Sequence, residues 1–200
     1  MNSKMKIALF SALIVFIGFA CNKDEEITDP EQTMGKVGNY WTAVAPGYQD
    51  GSITITSNDN GNVVGNLIFE GSSYPVEGKI TDQGIYDYVY SNGDKSKPFT
   101  LVKFDANVGD KWEFNVGNQK VTREVIRKST EDDVEYVFWL VKTVDVEETI
   151  PAGTMIGGSE SQIKKIVWQF NHKFGFISAT ITKTNNTTTK VSGSYTNADE

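Results

Sequence analysis

The sequence predicts an all-β protein, mainly antiparallel, with little or no helix. The expected architecture is a curved sheet, a sandwich or a partly open barrel of about ten strands. Three observations predict it. Short runs rich in β-branched and aromatic residues follow one another from residue 52 to residue 195. Asn-Gly and Asp-Gly pairs punctuate them at Asp50-Gly51, Asn60-Gly61 and Asn92-Gly93. Such pairs supply the positive φ of tight hairpin turns. Helical 3.6-residue periodicity is almost absent.

The strands are expected in order at 52–56, 63–69, 74–81, 85–90, 99–104, 111–116 and 120–128, then 133–150, 163–170, 174–182 and 187–195. Ile163, Ile166, Val167 and Phe170 could form one helical face, with Ser159 and Gln162 imitating a capping box. The alternation Ile166, Trp168, Phe170 favours a strand instead. The run 133–150 is the longest. Val134, Tyr136, Phe138, Leu140, Val144 and Val146 share one face, with Lys142 as the exception, and Val137, Trp139 and Val141 point the other way. Its middle is therefore apolar on both faces, as in a central strand between two layers or the wall of a curved sheet. Pro151-Ala152-Gly153 follows and suits a three-residue hairpin loop. Proline presets φ, and Gly153 can take the left-handed position.

The totals exclude several classes of function. The chain has 200 residues, 19 basic against 26 acidic, with one His and one Cys. One Cys makes no internal disulfide, and with one His it makes no zinc site of the usual kind, so no metal or other cofactor is expected. An acidic chain without a basic block does not suit nucleic acid. An aromatic share of 12% is too high for a disordered chain.

Residues 1–20 form a leader. Lys4 and Lys6 are its only charges, and residues 7–19 are an apolar run of 13 residues. A spanning helix needs about 20, so the layout is that of a secretory signal peptide. The only Cys, Cys21, follows at once. Gly18-Phe19-Ala20-Cys21 resembles the lipobox of bacterial lipoproteins, with Ala20 as the small residue before the Cys, while Gly18 and Phe19 depart from the usual pattern. The resemblance implies lipidation of Cys21 by diacylglycerol and a further acyl chain such as palmitate, and membrane attachment through that lipid. Without Lys4 and Lys6 the remainder has 17 basic and 26 acidic residues, a net of −9.

Residues 21–35 read as a flexible acidic tether, and 36–200 as a single β-rich domain. About 14 residues of coil span on the order of 20 Å. Lys23-Asp24-Glu25-Glu26 resembles the acidic export signal of Bacteroidota lipoproteins, which implies the outer membrane and favours the cell surface over the periplasmic face.

Three motifs occur in order: Val108-Gly109-Asp110-Lys111-Trp112, then Ile150-Pro151-Ala152-Gly153-Thr154, then Trp168 leading into Phe174-Gly175-Phe176-Ile177. Together they resemble a group of uncharacterised lipoproteins and exported proteins common in Bacteroidota, over roughly residues 100–180. The resemblance implies a β-rich extracytoplasmic domain and no established activity. After Thr154 the chain departs from that pattern, with Met155-Ile156-Gly157-Gly158-Ser159 in place of a β-branched strand. Val37-Gly38-Asn39-Tyr40-Trp41 echoes the first motif 71 residues earlier, as the same turn into a strand used twice.

No catalytic residue is assigned. His172 is the only His, lies in Asn171-His172-Lys173 between two strands, and has no GxSxG partner. Paired acids such as Glu147/Glu148 are sequence neighbours, which point to opposite faces of a strand. Asn58-Asp59-Asn60-Gly61-Asn62 superficially suggests a calcium loop but lacks the closing Glu. The surface-recognition candidate is a tyrosine ladder. Tyr86, Tyr88 and Tyr90 would share one face and could stack on a glycan, against the plainer reading of cross-strand packing. The expectation is a non-enzymatic binding or scaffold domain. The alternatives are a carrier of a lipid or other hydrophobic ligand in a barrel-like cavity, glycan binding through the tyrosines, and an enzyme as the least favoured. A protein partner is also open.

Overall fold

The computed structural model describes residues 34–44, 51–69, 71–88, 94–116, 119–136, 139–156 and 159–196. The leader, Cys21, most of the tether and Tyr90 lie outside them. The described residues contain no helix, and sixteen strands carry the fold. In chain order these are β1 (Tyr40–Val44), β2 (Gly51–Asp59), β3 (Asn62–Phe69), β4 (Ser72–Thr81), β5 (Gly84–Asp87) and β6 (Phe99–Lys103). Next come β7 (Lys111–Val116), β8 (Gln119–Lys128), β9 (Val134–Tyr136), β10 (Trp139–Val141) and β11 (Val144–Thr149). Last are β12 (Met155–Ile156), β13 (Ser159–Glu160), β14 (Ile163–Asn171), β15 (Gly175–Lys183) and β16 (Thr188–Thr196).

Twelve of them form one antiparallel sheet in the order β6-β5-β4-β3-β2-β1-β16-β15-β14-β11-β8-β7. Each strand of this sheet lies beside its neighbour in chain order, and β1 meets β16. The sheet curls into a nearly closed barrel whose backbone ladder is interrupted only between β6 and β7. The other strands form two hairpins outside the main sheet, β9–β10 and β12–β13.

Turn chemistry sets this order. Asn60 (φ 51°) and Gly61 (φ 83°) are both left-handed, which gives the two-residue turn of the β2–β3 hairpin. A Cβ on Gly61 would also stand 2.5 Å from the Ile80 carbonyl oxygen, so the sheet itself requires glycine there. The two Trp motifs form the same turn. Gly38 and Gly109 have φ of 89° and 95°. Gly38 N–H donates to Ile55 O (2.9 Å) and Gly109 N–H to Val125 O (2.8 Å). Ile55 N–H in turn donates to Asn39 O, and Val125 N–H to Asp110 O. Both turns lie at the same end of the barrel, here called the upper end.

The run 133–150 is not one strand, contrary to its pattern. It is the β9–β10 hairpin followed by β11, with Lys142 and Thr143 between them. The hairpin packs Val134, Tyr136 and Val141 on Phe174 and Ile177 in a cluster of its own. The buried side of this hairpin takes Val134 and Tyr136 from one face of the pattern and Val141 from the other, while Trp139 is 48% exposed, so these residues line the underside of a hairpin and not a barrel wall. The Pro151-Ala152-Gly153 loop is also different from expectation. Gly153 is left-handed (φ 79°), but β11 pairs with β14, and the β12–β13 excursion intervenes. The segment 163–171 is a strand, as its alternation indicates.

Inside the barrel the side chains form cross-strand rows. From the upper end downward they are Lys128–Val144–Phe170–Phe176, then Val125–Val146–Trp168–Ala179, then Arg123–Glu148–Ile166–Ile181. Facing them are Ile55, Val63, Ile80 and Val102, so opposite walls meet in one cluster. Met34, assigned to the tether by composition, is 2% exposed and joins this cluster at the upper end.

Candidate functional site

Three polar constellations stand out, one within the inward rows, one on the outer face and one at the barrel mouth. The deepest is Arg123, 2% exposed at the centre of the barrel. Its Nε donates to Glu148 Oε2 (2.7 Å) and its Nη1 to the Leu101 carbonyl (2.6 Å). Phe99, Phe114 and Trp168 surround the guanidinium at 4.7, 5.9 and 5.4 Å from their ring centroids. Trp168 Nε1 also donates to Glu148 Oε2 (3.2 Å). Burial pushes the guanidinium below its ordinary pKa, and Glu148 works against that shift. Each charge is matched and hydrogen-bonded, which is the condition under which ions persist in a core. This constellation holds β6 against β8 and leaves Glu148 committed to a partner.

The second lies on the outward side of the same strands. Asp145 takes Thr143 Oγ1 (2.8 Å), Gln169 Nε2 (3.3 Å) and Arg127 Nη1 (3.4 Å), and Ser178 Oγ donates to Gln169 Oε1 (2.6 Å). Arg127 also pairs with Asp133 at the base of the β9–β10 hairpin. Hydrogen bonding from Ser129, together with Arg127, holds the Asp133 carboxyl below the ordinary aspartate range. These carboxylates are also spoken for, and the row fastens the hairpin to the barrel.

The third is a cavity of about 320 Å³ at the upper mouth. Phe104, Val144 and Phe170 form its apolar wall, and Lys128, Lys142 and His172 stand around it with Asp82. Lys128 continues the inward row past Val144, and its Nζ is held by the carbonyls of Phe104 (2.8 Å) and Ala106 (3.2 Å). The buried Asn171 fixes the rim. Its Nδ2 donates to the Lys142 carbonyl (2.7 Å), and its Oδ1 accepts from the N–H groups of Lys173 and Phe174 (2.8 and 2.9 Å). One side chain thus fixes the turn bearing His172 relative to Lys142.

The residues singled out in the sequence fall elsewhere or only partly here. His172 is exposed in a turn, as expected, and lines this mouth. Tyr86 is half-buried on β5, and burial with Asp105 and Asp82 nearby raises its pKa. β5 ends at Asp87, and Tyr88 is 4% exposed, so its ring offers no face to solvent. Tyr90 and Cys21 lie outside the described residues. Lys128 and the Arg123–Glu148 pair were not visible in the sequence. Lys142 left one trace, as the polar exception in an apolar run. Among the described residues no group of three or more His, Cys, Asp or Glu side chains is placed to hold a metal ion.

No family model matches the chain, and no curated protein matches it. Among solved structures, a crystal structure of a "putative lipoprotein" from Parabacteroides distasonis ATCC 8503 superposes with a TM-score of 0.48 at 10% identity, covering 82% of this chain and 95% of that chain.

Proposed function

We propose that the chain is an exported bacterial lipoprotein, anchored through Cys21 to the outer membrane, whose β-barrel is a non-enzymatic binding domain. The observation that carries the reading is the place of the only Cys in 200 residues, immediately after a leader whose apolar run of 13 residues is too short to span a bilayer. The acids at 24–26 favour display at the cell surface. Support for a binding role comes from the buried carboxylates. Glu148 and Asp145 are tied to arginines and serve the architecture, whereas the mouth cavity is open and mixed in chemistry. The same cavity favours a ligand-carrying role as the second reading, at the barrel mouth.

The test is Cys21→Ala expressed in a bacterial host fed radiolabelled palmitate. The variant is expected to lose the label and to move from the membrane fraction to the soluble fraction. A variant that stays labelled and membrane-bound overturns the anchor.

A further inference from the structure

We infer that the upper mouth binds a small organic anion, a carboxylate carried on an aromatic or aliphatic body. The inference rests on the reading of the domain as a binding module and names the chemical class of its ligand. Three features converge on it. The first is charge. The chain without its leader carries −9, yet this mouth sets two lysines against one aspartate, with His172 beside them. A local excess of positive charge on an acidic protein draws anions to one place.

The second is preorganisation. An ammonium has three donors. The Phe104 and Ala106 carbonyls take two from Lys128, which fixes Nζ at the barrel mouth with one donor left for a ligand. Little side-chain freedom then remains to be lost on binding. Lys142 is exposed two residues before Val144, the register partner of Lys128, and its backbone is clamped by Asn171. The third is the apolar wall beside the lysines. Val144 follows Lys128 in the inward row, and Phe170 follows Val144, so an apolar floor lies directly beside the cationic rim. Phe104 completes it. Inorganic phosphate would use the rim and waste the floor, and a neutral hydrocarbon would do the reverse. An anionic head on an apolar body uses both, and about 320 Å³ accommodates a group of benzoate size.

The experiment uses the full-length protein in a non-ionic detergent, with 4-fluorobenzoate followed by fluorine NMR and empty micelles as blank. The comparison probes are neutral 4-fluorobenzyl alcohol and inorganic phosphate. Saturable binding is expected for fluorobenzoate, about fivefold tighter than for either comparison probe. Lys142→Gln removes a rim charge that makes no side-chain hydrogen bond or ion pair among the described residues, and should weaken fluorobenzoate about fivefold. Asp82→Asn removes the opposing charge and should tighten it, a gain that damage to the fold would not produce. Equal binding of the alcohol or of phosphate overturns the assignment of an organic anion while leaving a binding module in place. Absence of saturable binding by any of the three probes overturns both. Neither result depends on whether Cys21 is lipidated.

Discussion

Strands β1 and β16 join through a ladder of five residue pairs, from Tyr40↔Thr196 to Val44↔Ser192. Strands β6 and β7 occupy the equivalent place on the far side of the ring and lie at opposite ends of the sheet order. There the closure is made by side chains. Trp112 Nε1 donates to the Thr100 carbonyl (2.9 Å), Arg123 to Leu101, and Lys128 to Phe104 and Ala106. Phe99 packs edge-on against Phe114 at 4.2 Å. The rest of the two halves correspond. Each has six main strands, begins with the same glycine turn and carries a tryptophan whose indole N–H reaches a backbone carbonyl, Phe174 O for Trp41. A ladder spreads its stabilisation over every backbone group and tolerates most side chains. The β6–β7 seam concentrates it in a few, so substitutions there should be felt most.

The largest effect tests that concentration. Glu148→Ala leaves the Arg123 guanidinium buried without its carboxylate, and stability should fall by about 3–5 kcal/mol, read as a shift in the urea midpoint. A loss under 1 kcal/mol would mean that the seam is held by packing alone. The next effect tests the likeness of the halves. Gly38→Ala and Gly109→Ala each force a Cβ into left-handed backbone, at about 1–2 kcal/mol. Nearly equal losses are expected, because the two turns make the same backbone bonds, and a wide inequality would break the correspondence. The smallest concerns the ladder. Thr42→Val removes the Thr42–Ser194 hydroxyl contact across β1 and β16, and should cost less than about 1 kcal/mol. A larger loss would show that this closure too depends on side chains.

Much of the barrel was legible in the sequence, because period-2 patterning and Asn-Gly turns are local signals. The segment 163–171 is a strand because Ile166, Trp168 and Phe170 alternate onto one wall. The repeated Val-Gly-x-x-Trp marks one turn used twice, since both glycines need positive φ. The run 133–150 was misleading for a physical reason. An apolar hairpin lying on a barrel buries the same residue types as a central strand, and periodicity does not separate them. The site was scarcely legible. Lys128 ends β8, while Asp82, Lys142 and His172 come from three different connections, and the four meet only once the ring has curled. Arg123 and Glu148 lie 25 residues apart, and their pairing follows from the register of β8 on β11.

The two closures also differ in when they can form. The seam joins residues 12 and 22 apart, Trp112 to Thr100 and Arg123 to Leu101. Thr42 and Ser194 on the other side are separated by 152. Closing the longer loop costs roughly 2 kcal/mol more in chain entropy, and contacts of such separation are the slow ones in folding. During synthesis β1 therefore has β2 as its only sheet partner until β16, the last described strand to emerge, is complete. For most of that interval the open edge of β1 is the point at which a half-made barrel can recruit a wrong strand.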